Sequence, residues 1–256
     1  MKITRAVVPS LFTVLNMFCG FVSLIHSSEG QFDVAAWFIV LAGIFDSLDG
    51  VMARITKSSS DFGVEIDSLS DVISFGAAPA FLSYKLYLFH YEGIGMLISS
   101  LPLILGGIRL ARFNVQLIGY DKEYFSGLPI PSSAITIVAF VLTYQDEVFG
   151  LRGLAGDAFA PLIVVVSLLM VSKIKYDTLP KFSRKGWKRH PWRIILATAA
   201  LVLLVVTRMR ALFFIFVFFI LSGIMRWVYH SARKMLGRVD VKVEETDVEE
   251  VTSYDV

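Results

Sequence analysis

The chain has 256 residues, of which 55% are hydrophobic and only 18% are charged, and its mean hydropathy is +0.67. These values exceed what an ordinary soluble domain carries and indicate a polytopic membrane protein. The formal net charge of +2 says little about partners, and the sequence contains no recognisable nucleic-acid-binding motif. The single cysteine, Cys19, excludes an intramolecular disulfide and a cysteine metal site.

Apolar segments near the length of about 20 residues that crosses a bilayer recur along the chain. They predict an all-α membrane bundle of about eight transmembrane helices, at roughly 7–26, 33–53, 67–90, 94–116, 129–147, 155–173, 191–208 and 211–229. The first segment follows two basic residues, as a signal peptide would. It lacks a small-x-small cleavage site, so we interpret it as a retained helix.

The distribution of lysine and arginine predicts the orientation. With the amino terminus inside, only Arg152, Arg208 and Arg210 of the 24 basic residues fall in outer loops, and Lys85 lies within the third segment. The positive-inside rule therefore predicts that both termini are cytoplasmic. We expect the protein to be integral to the cell membrane, with the active site facing the cytoplasm.

The segment DSLDGVMARITKSSSDFGVEIDSLSD, residues 46–71, places two pairs of aspartates on either side of a short polar turn. Asp46 and Asp49 are three residues apart and Asp67 and Asp71 are four apart, so each pair shares one helix face. The serines and glycines between them permit a tight reversal. We therefore expect all four carboxylates to meet at the cytoplasmic interface.

Such a cluster needs a compensating positive charge. One aspartate at the centre of a membrane helix is unfavourable by about 2.5–3.5 kcal/mol, and like charges also repel. Arg54 and Lys57 as ion-pair partners would leave a net negative charge, whereas hard oxygen ligands without His or Cys suit Mg²⁺ or Mn²⁺. We favour the divalent metal. The alternative, exposed aspartates at a helix N-terminus, fits the second pair but not the first.

The segment resembles, at every fixed position, the signature of the CDP-alcohol phosphatidyltransferases: Asp46-x2-Asp49-Gly50-x2-Ala53-Arg54-x8-Gly63-x3-Asp67-x3-Asp71. The resemblance implies a membrane enzyme that moves a phosphatidyl group from a CDP-linked lipid to the hydroxyl of an alcohol and releases CMP. It implies that the four aspartates ligate two divalent cations and that Asp71 is also the base. It further implies a CDP-lipid site at Gly50, Ala53, Arg54 and Gly63. A role for Asp71 as a metal ligand only remains the alternative.

Three other segments resemble the members of this family that use serine: NMFCGF in the first span, RLARFNVQL at the end of the fourth and FSGLPIPSSA, which opens the fifth. The implied substrates are CDP-diacylglycerol and L-serine. Because a guanidinium suits a planar carboxylate, Arg112, or failing it Arg109, is expected to bind the serine carboxylate. Membrane anchoring is the alternative for either arginine. Thr13 and Asn16 are expected to line the CDP-lipid or metal site, or to make an interhelical hydrogen bond.

The predicted organisation is a catalytic membrane core in residues 1–175, a basic cytoplasmic loop with two additional transmembrane helices in 176–235, and an acidic disordered tail in 236–256. A homodimer is the expected assembly. The nearest rival functions are phosphatidylglycerophosphate or phosphatidylinositol phosphate synthesis, whose phosphorylated acceptors need extra cations. A metal-ion transporter is the alternative from another class, although its site is expected near the bilayer midplane.

Overall fold

The structure is a computed structural model that describes residues 7–56, 61–118, 127–146, 150–151, 153–174, 176 and 211–235. Within these ranges every regular element is a helix. This confirms the all-α prediction. Asp146 and Gly150 form a single isolated β-bridge. The predicted span 191–208, most of the basic loop and the acidic tail lie outside the described residues.

The helices are numbered here in chain order: α1 (Val7–Ser28), α2 (Phe32–Thr56), α3 (Asp61–Asp71), α4 (Ala78–Leu86), α5 (Glu92–Ile118), α6 (Ile130–Tyr144), α7 (Leu154–Val171) and α8 (Ala211–Met235). A π-helical turn, Val72–Ala77, joins α3 directly to α4. A 3₁₀ turn, Leu88–Tyr91, leads into α5.

In the part of the chain that the structure describes, five helices are long and apolar enough to cross a membrane: Leu11–Ser28, Phe32–Met52, Leu88–Val115, Leu154–Val171 and Ala211–Ala232. The protein is therefore an integral membrane protein. Three of the eight predicted spans are missing from this set for separate reasons. The π turn divides the third, α6 has only 15 residues, and the seventh lies outside the described ranges. The count of eight stays a prediction.

Helix α6 occupies the centre of the described bundle. Residues 133–141 are all buried, and α6 packs against α2, α7, α8 and the π turn. A helix that is apolar on every side is stable only when other elements surround it. Pro129 and Pro131 flank the first residue of α6, Ile130, and Pro131 lies in the first turn, where a proline costs no helical hydrogen bond.

Four helices contact one another through polar side chains at one end of the bundle: α1, α2, α3 and α5. The first half of α1 contacts the second half of α2 through Thr13 and Asp49, and α3 through Thr13 and Ser70. The second half of α5 contacts α3 through Asn114 and Ser68. Polar side chains from these four helices therefore lie close together at this end.

Candidate active site

Three carboxylates meet between the second half of α2 and the second half of α3. Asp46 comes from α2, Asp67 and Asp71 come from α3, and one oxygen of each lies within 4.8 Å of the others. Asp46 and Asp67 are half-buried, and Asp71 is buried. The motif spacing puts each pair on one helix face, and the acidic faces of α2 and α3 meet in this cluster.

The fourth aspartate, Asp49, is buried beside this group. Its charge repels those of Asp46 and Asp67, which places it within the same electrostatic site. Its Oδ2 accepts a 2.5 Å hydrogen bond from Thr13 Oγ1 on α1. Its Oδ1 is buried and has no hydrogen-bond partner among the described residues. One oxygen of Asp49 is thus held by α1, and the other remains available to a ligand.

Asp71 has two neighbours that favour its charged form. Asn16 Nδ2, on α1, donates a 3.3 Å hydrogen bond to Asp71 Oδ1. The guanidinium of Arg109, on α5, interacts electrostatically with the same carboxylate. Both Asn16 and Arg109 are buried. Among the described residues, this one arginine does not balance the charge of four ionised aspartates.

Two serines that the sequence analysis missed hold α1 against α3 and the π turn. Ser70 Oγ donates a 3.0 Å hydrogen bond to the carbonyl of Thr13, and Ser74 Oγ donates a 2.8 Å bond to the carbonyl of Asn16. Both serines are buried. The available signal was their four-residue spacing inside an apolar segment, since buried hydroxyls in membrane bundles bond across helices.

The two predicted serine-binding arginines lie in different environments. Arg109 is buried beside Asp71, whereas Arg112 is exposed. The sequence analysis ranked Arg112 first, whereas Arg109 is the arginine that lies next to the carboxylates. Which of the two binds serine stays a prediction. A network that the sequence analysis missed lies nearby: Asn114 Nδ2 donates to Ser68 Oγ at 3.1 Å and to Glu65 Oε2 at 3.4 Å.

The residues assigned to the CDP-lipid are only partly described. Gly50 is exposed on α2, and a Cβ built there would meet no atom within 4 Å. Gly63 is half-buried on α3. The side chains of Ala53 and Arg54 lie outside the described residues. Their contacts with a nucleotide therefore stay predictions.

The donor set fits a divalent cation. All ligand atoms in the three-carboxylate group are oxygens, and no His or Cys joins it in the described ranges. Hard oxygen donors are the ligands that Mg²⁺ and Mn²⁺ prefer. The buried Asp49 Oδ1 adds an oxygen that otherwise lacks compensation, and such groups are costly unless they find a partner.

Comparison with known proteins gives consistent results along most of the chain. The model of the CDP-alcohol phosphatidyltransferase family matches residues 6–172. A CDP-diacylglycerol–serine O-phosphatidyltransferase from Helicobacter pylori is 38% identical over 221 residues, which cover 86% of this chain and 91% of that protein. The corresponding protein of Bacillus subtilis is 30% identical over 185 residues, 72% of this chain and 98% of its own.

An archaeal relative extends the similarity to a third lineage. The archaetidylserine synthase of Methanothermobacter thermautotrophicus is 42% identical over 178 residues, which cover 68% of this chain and 72% of that protein. The matched region contains α1 to α7 and all four aspartates. The motif spacing, the carboxylate geometry and these matches agree, and the chain belongs to the CDP-alcohol phosphatidyltransferase family.

Proposed function

We propose that this enzyme transfers the phosphatidyl group of CDP-diacylglycerol to the hydroxyl of L-serine, giving phosphatidylserine and CMP, and that it depends on two divalent cations. The observation that carries the proposal is the convergence of Asp46, Asp67 and Asp71 within 4.8 Å, with Asp49 beside them. A diphosphate substrate brings more negative charge to an already acidic site. Binding it there requires more positive charge than the described residues of this site supply.

The relatives support serine as the acceptor. The names of the bacterial and archaeal relatives specify different lipids but the same serine headgroup. Within the site, Arg109 is a buried cation next to Asp71, where it would meet the carboxylate of a serine whose hydroxyl faces that aspartate. A guanidinium binds a planar carboxylate through two parallel hydrogen bonds.

The four aspartates, Asp46, Asp49, Asp67 and Asp71, would hold the cations. Bound Mg²⁺ or Mn²⁺ would polarise the phosphoryl oxygens and stabilise the charge that develops on the departing CMP. Asp49 and Asp71 are buried among helices, so these two carboxylates have little water to screen their repulsion.

The transfer itself needs a proton acceptor. The serine oxygen forms a bond to the phosphorus that carries the diacylglycerol, and the bond from that phosphorus to the CMP oxygen breaks, with CMP keeping the electron pair. The serine hydroxyl proton passes to Asp71, because Asn16 engages only Oδ1 of this carboxylate. A base must lie within hydrogen-bond reach of the hydroxyl that it deprotonates.

The remaining parts of the proposal concern placement and assembly. We place the site at the cytoplasmic face of the cell membrane, with both termini inside and about eight spans, because the basic residues concentrate on that side. A cytoplasmic site gives direct access to soluble serine. We also propose a homodimer. Light scattering of the detergent-purified protein tests the assembly, and cysteine accessibility at engineered loop positions tests the orientation.

The experiment that tests the function measures CMP release from CDP-diacylglycerol with one alcohol supplied at a time. We expect release with L-serine and Mn²⁺ or Mg²⁺, little release with glycerol 3-phosphate or inositol phosphate, and none with excess chelator. Release with a phosphorylated alcohol in place of serine would move the acceptor assignment to another branch of the family. Full activity in chelator would contradict the metal dependence.

A further inference from the structure

We infer that Thr13 and Asn16 are positioning residues, which orient Asp49 and Asp71 for cation binding rather than contacting the nucleotide. The inference rests on the metal dependence proposed above. It assigns helix α1 a role of its own, because α1 supplies none of the motif aspartates. It also decides between the two roles that the sequence left open for this pair.

The contact between Thr13 and Asp49 has the geometry of a positioning bond. Both side chains are buried, and the 2.5 Å distance from Oγ1 to Oδ2 lies in the range of hydroxyl–carboxylate bonds. The bond fixes the rotation of the carboxylate, so Oδ1 has one defined direction. That oxygen is buried without a partner among the described residues, as expected of an atom that is oriented for a ligand.

Asn16 acts on Asp71 in the same way. Its amide is fully buried, and Nδ2 faces Asp71 Oδ1. The opposite amide orientation would place the Asn16 oxygen against a carboxylate oxygen, and two acceptors repel. The carboxylate therefore determines how the amide lies. The donor side of this amide therefore serves the carboxylate, while Asn16 Oδ1 is buried and has no hydrogen-bond partner among the described residues.

The backbone of α1 is fixed at the same two residues. The carbonyl of Thr13 accepts from Ser70, and the carbonyl of Asn16 accepts from Ser74. Thr13 and Asn16 thus bind α3 and the π turn through their main chains while their side chains bind the aspartates. This arrangement fixes the position of α1 along its axis relative to α3. It therefore fixes the positions of the two donor groups, Thr13 Oγ1 and Asn16 Nδ2. Outer partners of this kind typically change metal affinity by about 10–100-fold when they are removed.

The test measures binding of Mn²⁺ alone to the detergent-purified full chain, by the electron paramagnetic resonance signal of free Mn²⁺, without CDP-lipid or serine. We expect Thr13→Val, which keeps the side-chain shape and removes the hydroxyl, to weaken Mn²⁺ binding by about 10–100-fold. Thr13→Ser restores the hydroxyl and should bind nearly as the parent does. Asn16→Ala should weaken binding in the same direction.

The matched control is Ser23→Ala. Ser23 lies on the same buried face of α1, further from the site, and its hydroxyl has no hydrogen-bond partner among the described residues. Its loss should leave Mn²⁺ binding unchanged. Thermal melts without metal show whether each variant is folded. If Thr13→Val does not fold, Thr13→Ala replaces it, since the comparison with Thr13→Ser again isolates the hydroxyl.

Each outcome separates the inference from the proposed function. If the parent itself does not bind Mn²⁺, the metal-dependent function fails and the inference fails with it. If the parent binds Mn²⁺ and folded Thr13→Val and Asn16→Ala bind it equally well, only the inference is overturned. If the variants bind Mn²⁺ normally but have a raised Michaelis constant for CDP-diacylglycerol, Thr13 and Asn16 contact the nucleotide instead, and the inference is overturned. Equal loss in Thr13→Val and Thr13→Ser would show that the hydroxyl is not what matters.

Discussion

Gly20 on α1 lies directly against Ser74 in the π turn, with no room for a side chain between them. A Cβ on Gly20 would come within 2.5 Å of Ser74 Oγ and within 2.7 Å of its Cα. This approach lets Ser74 reach the carbonyl of Asn16 at 2.8 Å. The close contact therefore determines how α1 meets the helix that carries Asp67 and Asp71. Small residues permit this kind of backbone approach in membrane bundles.

Gly20→Ala should push α1 away from the π turn. We expect a loss of about 1–3 kcal/mol in the free energy of unfolding, as for other overpacked cores, and a fall in activity because Asn16 moves with α1. Gly107→Ala is the matched control, since a Cβ at Gly107 in α5 meets nothing within 4 Å. Thermal melts of both purified variants check this. A Gly20→Ala protein as stable and active as Gly107→Ala would contradict the argument.

The sequence predicted most of the bundle because membrane helices follow simple rules of length and hydropathy. The hairpin of α1 and α2, the long helix α5 and the start of α6 at Ile130 all appear close to where the pattern placed them. The π turn at Val72–Ala77 was not predicted. It depends on tertiary contacts, such as Gly76 against the backbone of Leu103, that the local pattern does not encode.

The site was predictable to the extent that its residues are acidic. Four aspartates at a helix hairpin in an apolar chain are conspicuous, and three of them converge as the spacing required. The pairing of Thr13 with Asp49 was not predictable, because it depends on how α1 is rotated against α2. The same applies to Arg109 and Arg112. Residues three apart can differ in burial, and only the packing of α5 shows that Arg109 is the inner one.

Gly50→Ala should separate stability from substrate binding. Gly50 lies within α2 and has open space around it, so alanine should fit and raise helix stability by up to about 1 kcal/mol. If the nucleotide approaches this backbone, the added methyl should raise the Michaelis constant for CDP-diacylglycerol. Thermal melts and initial rates measure the two effects. Unchanged kinetics in the stabilised variant would remove Gly50 from the CDP-lipid site.

Neutralising the clustered aspartates should remove activity without unfolding the protein. Asp46→Asn, Asp49→Asn and Asp67→Asn each remove a repelling charge, so the metal-free variants should be no less stable than the metal-free parent. With Mn²⁺ at 100 times its dissociation constant, the parent should gain about 2.7 kcal/mol, and the variants should gain less. Melting curves with and without Mn²⁺ test this linkage.

The control for this series is Asp157→Asn. Asp157 is an exposed carboxylate in the first turn of α7, and it is not part of the carboxylate group. The activity of the Asp157→Asn protein and its stabilisation by Mn²⁺ should match those of the parent. The metal assignment would be wrong if the three site variants gained as much stability from Mn²⁺ as Asp157→Asn does.

Asp71→Asn should affect turnover more than donor binding. The asparagine keeps the shape of the side chain but no longer accepts the serine proton, and general-base contributions are typically about 10²–10⁴-fold. We expect turnover with serine to fall in this range while binding of CDP-diacylglycerol, measured by equilibrium dialysis, weakens less. Near-normal turnover would mean that another group takes the proton and that Asp71 serves only as a ligand.

The last prediction concerns the acceptor and compares Arg109 with Arg112. Arg109 is buried beside Asp71, so its guanidinium is placed to bind the carboxylate of a serine whose hydroxyl faces that aspartate. Lysine keeps the charge but loses the planar pair of donors. Losing one hydrogen bond to a charged group costs about 1.5–3 kcal/mol, which corresponds to roughly 10–150-fold. Arg109→Lys should raise the Michaelis constant for serine by this factor and leave that for CDP-diacylglycerol nearly unchanged.

Arg112→Lys is the matched variant, since Arg112 is exposed on the same helix and a charge there serves equally well as lysine. Its serine dependence should stay within about twofold of the parent, because exposed charge pairs contribute little. Initial rates over a serine titration at saturating CDP-diacylglycerol measure both variants. A selective serine defect in Arg112→Lys would restore the order in which the sequence analysis ranked the two residues. If neither variant changes the serine dependence, another residue binds the carboxylate, and the preference for serine loses its support within this site.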